Sequence, residues 1–375
     1  MRIGIDARFY GSLGKGLGRY VSELIAGLER LDSENEYVVF LREANFGEYE
    51  PQNPRFTKVV AEFPWYGWRE QLLYPFWLRK FRLDLMHFPH FNVPLLYRRP
   101  FVVTIHDLIL LSHATTRATT LGPLRFRLKF LAYRFVIARA MRDARKVITV
   151  SECVRREIRE RFPFMVGREI AVTYEAPSGA VRGAHDARSD RTDAIAQPFV
   201  LYVGNAYPHK NLDTLIAAFA EFRRRGFSDR TLVLVGAKDY FYERLEHEAR
   251  EQGIAGNVLF FGHASDAELA ALYRRAESYV FPSLCEGFGL PPLEAMVNGL
   301  PVASSNASCM PEILGDAARY FDPTSTTAIA DALADLATNA ALRSSLVTRG
   351  AARASTFDWN DCARKTLAAY AHANA

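Results

Sequence analysis

The chain has 375 residues, of which 49% are hydrophobic and 24% charged. That balance fits a globular protein of about two domains and excludes a disordered or fibrous one. The net charge of +5 suits an anionic ligand or an anionic membrane surface, and equally an ordinary basic protein. No apolar run approaches the ~18 residues of a spanning helix, and "MRIGIDARFY" carries charges where a signal peptide needs an apolar stretch. Four scattered cysteines, Cys153, Cys285, Cys309 and Cys362, form no CxxC pair. They argue for reduced thiols in a cytoplasmic setting, without zinc or disulfides.

Short apolar runs alternate with helical patterns, which predicts parallel α/β layers. In the first half, "IGID", "YVVFL", "LMHF", "FVVTIHD" and "KVITVS" read as strands. "GSLGKGLGRY" follows the first strand as a glycine-rich turn. Its spacing of Gly14, Gly16 and Gly18 is not GxGxxG, so it is either a ligand loop or a strand-to-helix turn. Val21, Leu24, Ile25, Leu28 and Leu31 then recur at helical spacing. "FPHF" supplies His90, as a ligand-side or a structural histidine. "FVVTIHD" places His106 and Asp107 at the carboxyl end of a strand, the ligand side of such a sheet. A His–Asp dyad there has the makings of a base and its orienter.

The pattern breaks at 178–197, a polar, charge-mixed linker. It restarts with "FVLYVG", the helix "NLDTLIAAFAEF", then "TLVLVG", "VLFFG", "YVFPS" and "PVASS". The expected domains are 1–177 and 198–355, with a helix at 356–375 packing back on the first. Lys210 stands at a helix start, electrostatically the wrong end for a cation, which favours a ligand over a plain surface lysine. "SLCEGFGLPPLEAMVNGLPV" reads as loop, helix, strand. Pro291 and Pro292 pre-set the first helical turn, and Gly299 stops the helix. The helix N-terminus suits a phosphate, with Gly287 and Gly289 allowing close approach. Glu294, placed in the first turn, and Glu286, in the loop, either accept from ribose and sugar hydroxyls or are a capping glutamate and a solvated charge.

The run "SLCEGFGLPPLEAMVNGLPVASSN" and its continuation through Pro311, Glu312 and Gly315 resemble the donor-binding signature of retaining glycosyltransferases of family four. That family carries two glutamates with seven residues between them, as Glu286 and Glu294 stand here. The resemblance implies the GT-B fold, two doubly wound Rossmann-like domains facing a cleft. It gives Glu294 the ribose, Glu286 the donor sugar, and the amides of Phe288, Gly289 and Leu290 the diphosphate and sugar. It makes Lys210 a diphosphate ligand and places His106 at the donor sugar, with Asp107 fixing its tautomer. Gly16 and Gly18 lie near the diphosphate and acceptor. Relatives often have an arginine where this chain has Asn205, so one cation stands where two are expected, with His209 as a candidate substitute.

The expected protein is therefore a retaining, metal-independent glycosyltransferase without a cofactor, acting in O-antigen or other polysaccharide assembly. Its donor is a nucleotide-diphospho-sugar, with GDP-mannose the first choice. Its acceptor is a glycan, carried on a polyprenyl diphosphate at an anionic membrane surface, and nucleic acid is not a partner. The rivals are a sugar-nucleotide epimerase of the same fold and a non-catalytic nucleotide-sugar binder. Two stretches rich in aromatic and basic residues, 63–82 and 125–146, motivate the membrane surface.

Overall fold

Each apolar run buries its residues by joining a parallel sheet that is covered on both faces. A computed structural model of the chain describes residues 1–112, 123–177 and 189–374. The chain divides into two compact units, one built from Met1–Leu111, Leu121–Glu175 and Asp358–Ala375, the other from Ala176–Phe357. Of the expected linker, 178–188 lies outside the described residues. Ser189 caps the short helix Asp190–Asp193, which belongs to the second unit.

The first unit holds β1 (Arg2–Asp6), β2 (Glu36–Leu41), β3 (Phe56–Val60), β4 (Leu85–Phe88), β5 (Phe101–Ile105), β6 (Lys146–Thr149) and β7 (Ile170–Val172). They form one parallel sheet in the order β3-β2-β1-β4-β5-β6-β7. The second unit holds β8 (Phe199–Val203), β9 (Thr231–Val235), β10 (Val258–Gly262), β11 (Ser278–Phe281), β12 (Val302–Ser305) and β13 (Ala318–Phe321), ordered β10-β9-β8-β11-β12-β13. Strand order reverses between β1 and β4, and again between β8 and β11. Ligands of open α/β sheets bind beyond the carboxyl ends at such switch points.

Three strands escape the sequence pattern: β3, β7 and β13. All are sheet edges. An edge strand keeps one side open to water, so its apolar run is broken, as in "FTKVV" and "ARYF".

The glycine-rich segment is not a loop throughout. A single turn of 3-10 helix, Gly11–Gly14, leads into the helix Lys15–Leu31, so Gly16 and Gly18 lie in its first turn. A Cβ on Gly18 would stand 2.0 Å from the carbonyl oxygen of Gly11, so glycine there serves backbone packing. Gly16 has no atom within 4 Å of that position and meets no such constraint.

The last helix, Trp359–Asn374, packs in the first unit. A Cβ on Gly27 would approach that of Ala363 to 2.7 Å, and Arg30 donates to Asn360. Its Tyr370 hydroxyl lies 2.7 Å from His87 Nδ1, and His87 Nε2 lies 2.9 Å from Thr104 Oγ1. Burial, aided by the neighbouring His106, pushes the His87 pKa down to about 3. The unfolded imidazole takes its proton near ~6.5. Stability from His87 is thus present above that pH and lost as pH falls toward 3. Each pH unit in that window should remove about 1.4 kcal/mol of it. In melts from about pH 7 to about pH 4.5, the advantage of the wild type over His87→Gln should shrink; a constant gap would contradict this.

Candidate functional site

Three chain segments meet at the β8/β11 switch point. After β8 comes Gly204-Asn205, where the Tyr202 hydroxyl donates to the Asn205 carbonyl at 2.8 Å. The Asn205 side-chain oxygen accepts the Tyr207 amide at 3.3 Å, so this residue caps its own turn. A 3-10 turn, Pro208–Lys210, follows. Asn211 then takes a left-handed conformation (φ 61) and starts the helix Leu212–Arg224. Its carboxamide donates to the carbonyls of Pro282 (3.1 Å) and Pro323 (2.7 Å) and accepts from Thr214. The Leu284 amide donates to the His209 carbonyl at 2.8 Å, which ties the 208–211 turn to the loop after β11.

The loop after β11 is held just as closely. Ser308 Oγ accepts the Glu286 amide (3.2 Å) and donates to its carbonyl (2.9 Å), while Cys309 Sγ lies 3.3 Å from the carbonyls of Glu286 and Phe288. Gly289 has φ 94, and a Cβ on it would come within 2.5 Å of Met310 Cε, so no other residue fits without rearrangement. It caps the helix Leu290–Val297, with Pro291 and Pro292 early in the helix and Gly299 (φ 73) past its end. Phe288 is buried edge-on to Phe357, and Leu290 is half-buried.

These loops bring Lys210 Nζ to 2.6 Å from Glu286 Oε1, both side chains being mostly buried. Glu286 is therefore not a solvated loop charge. Glu294 corrects a second expectation. It sits one turn into its helix, not in the first turn, and is 2% exposed. Its Oε2 accepts the Tyr273 hydroxyl at 3.2 Å, so it is no capping glutamate.

In the first unit, His106 follows β5. Its Nε2 lies 2.9 Å from the Pro89 carbonyl oxygen, which can only accept, so this nitrogen donates. Its Nδ1 faces Glu175 Oε1 at 3.3 Å, and the ring meets Tyr20 edge-on at 4.5 Å. The carboxylate at Nδ1 is thus Glu175, while Asp107 Oδ1 accepts the Ile109 amide at 3.0 Å and opens a short helix.

Sequence reasoning missed Asn211, Tyr273, Ser308, Cys309 and Glu175. Asn211 had a signal, an asparagine directly before a helical run; the others act across long sequence separations and leave no local mark.

Two parallel-sheet units, with Lys210 and Glu286 paired across the switch point of the second and Glu294 buried on the next helix, have the GT-B glycosyltransferase architecture. The pattern described as "Glycosyltransferase Family 4" matches residues 14–174, and "Glycosyl transferases group 1" matches 188–353. Together they take in most of the sequence, and the chain belongs to this glycosyltransferase family. It is 28% identical to the O-antigen chain mannosyltransferase B of Escherichia coli, over 95% of each chain. The sucrose-phosphate synthase of Thermosynechococcus elongatus shares its fold at a TM-score of 0.74 and 18% identity, over 99% of this chain and 98% of that one. Anabaena HepE, solved with UDP and glucose, does so at 0.72 and 18%, over 99% of each.

Proposed function

We propose that the chain transfers mannose, with retention, from GDP-mannose to a glycan acceptor in O-antigen-type polysaccharide assembly, without a metal ion. The observation that carries this is the Lys210–Glu286 pair joining the segments after β8 and β11, with Glu294 buried on the helix that follows. The name of the Escherichia coli relative supports mannose and O-antigen assembly. Glu294 holds the ribose diol. Lys210 and the amides of Phe288, Gly289 and Leu290 take the diphosphate, and Glu286 takes the sugar. On transfer, the bond from the anomeric carbon to the phosphate oxygen breaks. The departing diphosphate keeps the electron pair and takes the acceptor hydroxyl's proton. The acceptor oxygen bonds to the same face of the sugar, which preserves configuration.

Incubation with a panel of sugar nucleotides in EDTA tests the reading. Slow hydrolysis of GDP-mannose above the others is the expected result, because Lys210 and backbone amides supply the neutralising charge. An epimerised sugar nucleotide, or activity restored only by magnesium or manganese, would contradict it.

The acceptor side includes an anionic membrane surface in this proposal, reached from the cytoplasmic side. Among the described residues no helix is long and apolar enough to cross a membrane. Exposed apolar side chains do cluster with basic ones. Trp68, Leu72, Leu73 and Phe76 stand exposed near Arg69, Arg79 and Lys80. On the helix Pro123–Asp143, Leu128, Leu131 and Phe135 form an exposed stripe at helical spacing among Arg127, Lys129 and Arg134. Apolar insertion plus about 1 kcal/mol per basic residue near the surface suits anionic lipid. Co-sedimentation with anionic vesicles at low salt, lost with neutral vesicles, is the expected outcome. Equal binding to both would point to a soluble acceptor.

A further inference from the structure

The switch point of the first sheet lies between β1 and β4, and the chain there is built at a physical cost. Arg8, just past β1, is fully buried. It grips Asp6 with two bonds of 2.7 Å, reaches Glu70 Oε1 at 2.6 Å and donates to the Phe63 carbonyl at 2.7 Å. The other Glu70 oxygen accepts the Tyr66 amide (2.8 Å) and the Asn92 carboxamide (2.6 Å). One buried ionic cluster thus pins the end of β1, the segment after β3 and the segment after β4 to each other. Apolar packing would stabilise a core as well or better, so such a cluster is better explained by the fixed geometry it gives.

That geometry frames an aromatic corner. Trp65 stacks on Phe9 with ring centroids 4.2 Å apart and planes 5° apart. His90 leans on Phe9 at 5.2 Å and lies 6.3 Å from the Tyr66 ring. Tyr66 adopts a left-handed backbone (φ 59), a strained state for a bulky residue, and keeps its side chain 66% exposed. Trp65 Nε1 and His90 Nδ1 are buried without a protein hydrogen-bond partner. Strain, exposed aromatic surface and unsatisfied polar atoms therefore coincide at the ligand end of the sheet.

We propose that this corner is a saccharide subsite, in which a pyranose of the acceptor glycan stacks its C–H face on Tyr66 and satisfies His90 and Trp65 with its hydroxyls. A pyranose offers an apolar face and a rim of hydroxyls that donate and accept, which is the chemistry the corner lacks a partner for. A lipid chain would cover the rings and leave both nitrogens unsatisfied. The proposal rests on the glycosyltransferase reading and names where the acceptor is recognised.

The probes are methyl α-D-mannopyranoside and the corresponding glucoside, galactoside and N-acetylglucosaminide, titrated by NMR into the full chain. At least one should bind and shift the Trp65 indole N–H resonance. Tyr66→Ala should weaken that glycoside about tenfold, the scale of losing one aromatic anchor, while Tyr66→Phe keeps the affinity. GDP binding, a property of the second unit, is followed in parallel. Wild-type protein that fails to bind GDP would sink the proposed GDP-mannose donor. Wild-type protein that binds GDP, but whose glycoside affinity is zero or ignores Tyr66→Ala, would sink the subsite alone. Loss of anionic-vesicle binding in Tyr66→Ala with glycoside affinity intact would reassign the corner to lipid.

Discussion

Replacing Lys210 by alanine is expected to lower turnover at least about 100-fold. Negative charge builds on the diphosphate as its bond to the sugar breaks, so a fixed cation beside it stabilises the transition state more than the bound donor. The structure adds a second reason. Lys210 Nζ is 2.6 Å from Glu286, whose side chain is 10% exposed. Without Lys210 that carboxylate stays largely buried, stripped of this cation and beside the donor's own negative charge. An ammonium group has three donors, so Lys210 can hold the carboxylate and a phosphate oxygen together. The single variant should therefore lose donor affinity as well as turnover. Adding Glu286→Ala should recover part of the affinity by removing the uncompensated charge, yet leave turnover low. Such non-additivity is the mark of groups in contact. Near-normal turnover in Lys210→Ala, or turnover restored in the double variant, would show that another group carries the charge.

The central strands and the loop after β11 were legible because their residues are constrained locally. β1, β5, β8 and β9 are buried along almost their whole length, so they appear as unbroken apolar runs. Gly289 and the two prolines after it are dictated by backbone geometry, which a sequence displays directly. Edge strands such as β7, three residues long, carry too little pattern to read. Side-chain partners were the least legible. His106 is followed by Asp107, yet the carboxylate at its Nδ1 comes from Glu175, 69 positions away. Two sheet-ordering steps bring that pair together, and no spacing rule encodes them. The same holds for Tyr273 and Glu294, on separate helices. Glu294 falls just past the first turn because the helix begins at Leu290, one residue before the prolines.

That buried position sharpens what Glu294→Ala should do. The carboxylate is 2% exposed, with the Tyr273 hydroxyl at 3.2 Å fixing one of its oxygens. Two carboxylate oxygens suit a vicinal diol, and hydrogen bonds to a charged group are worth roughly 1.5–3 kcal/mol. Removing them should weaken GDP binding by about 10- to 150-fold. Glu294→Gln keeps one acceptor oxygen and should lose less. Tyr273→Phe leaves both carboxylate oxygens in place and removes only their orientation, so it should lose less again. Glu286→Ala should cut turnover more than GDP affinity, since GDP lacks the sugar proposed to meet Glu286. Calorimetry with GDP on the four variants, each checked for an intact melt, measures the ordering. Equal losses for Glu286→Ala and Glu294→Ala, or none for Glu294→Ala, would remove Glu294 from the ribose and leave Tyr273 and Glu294 as a buried structural pair.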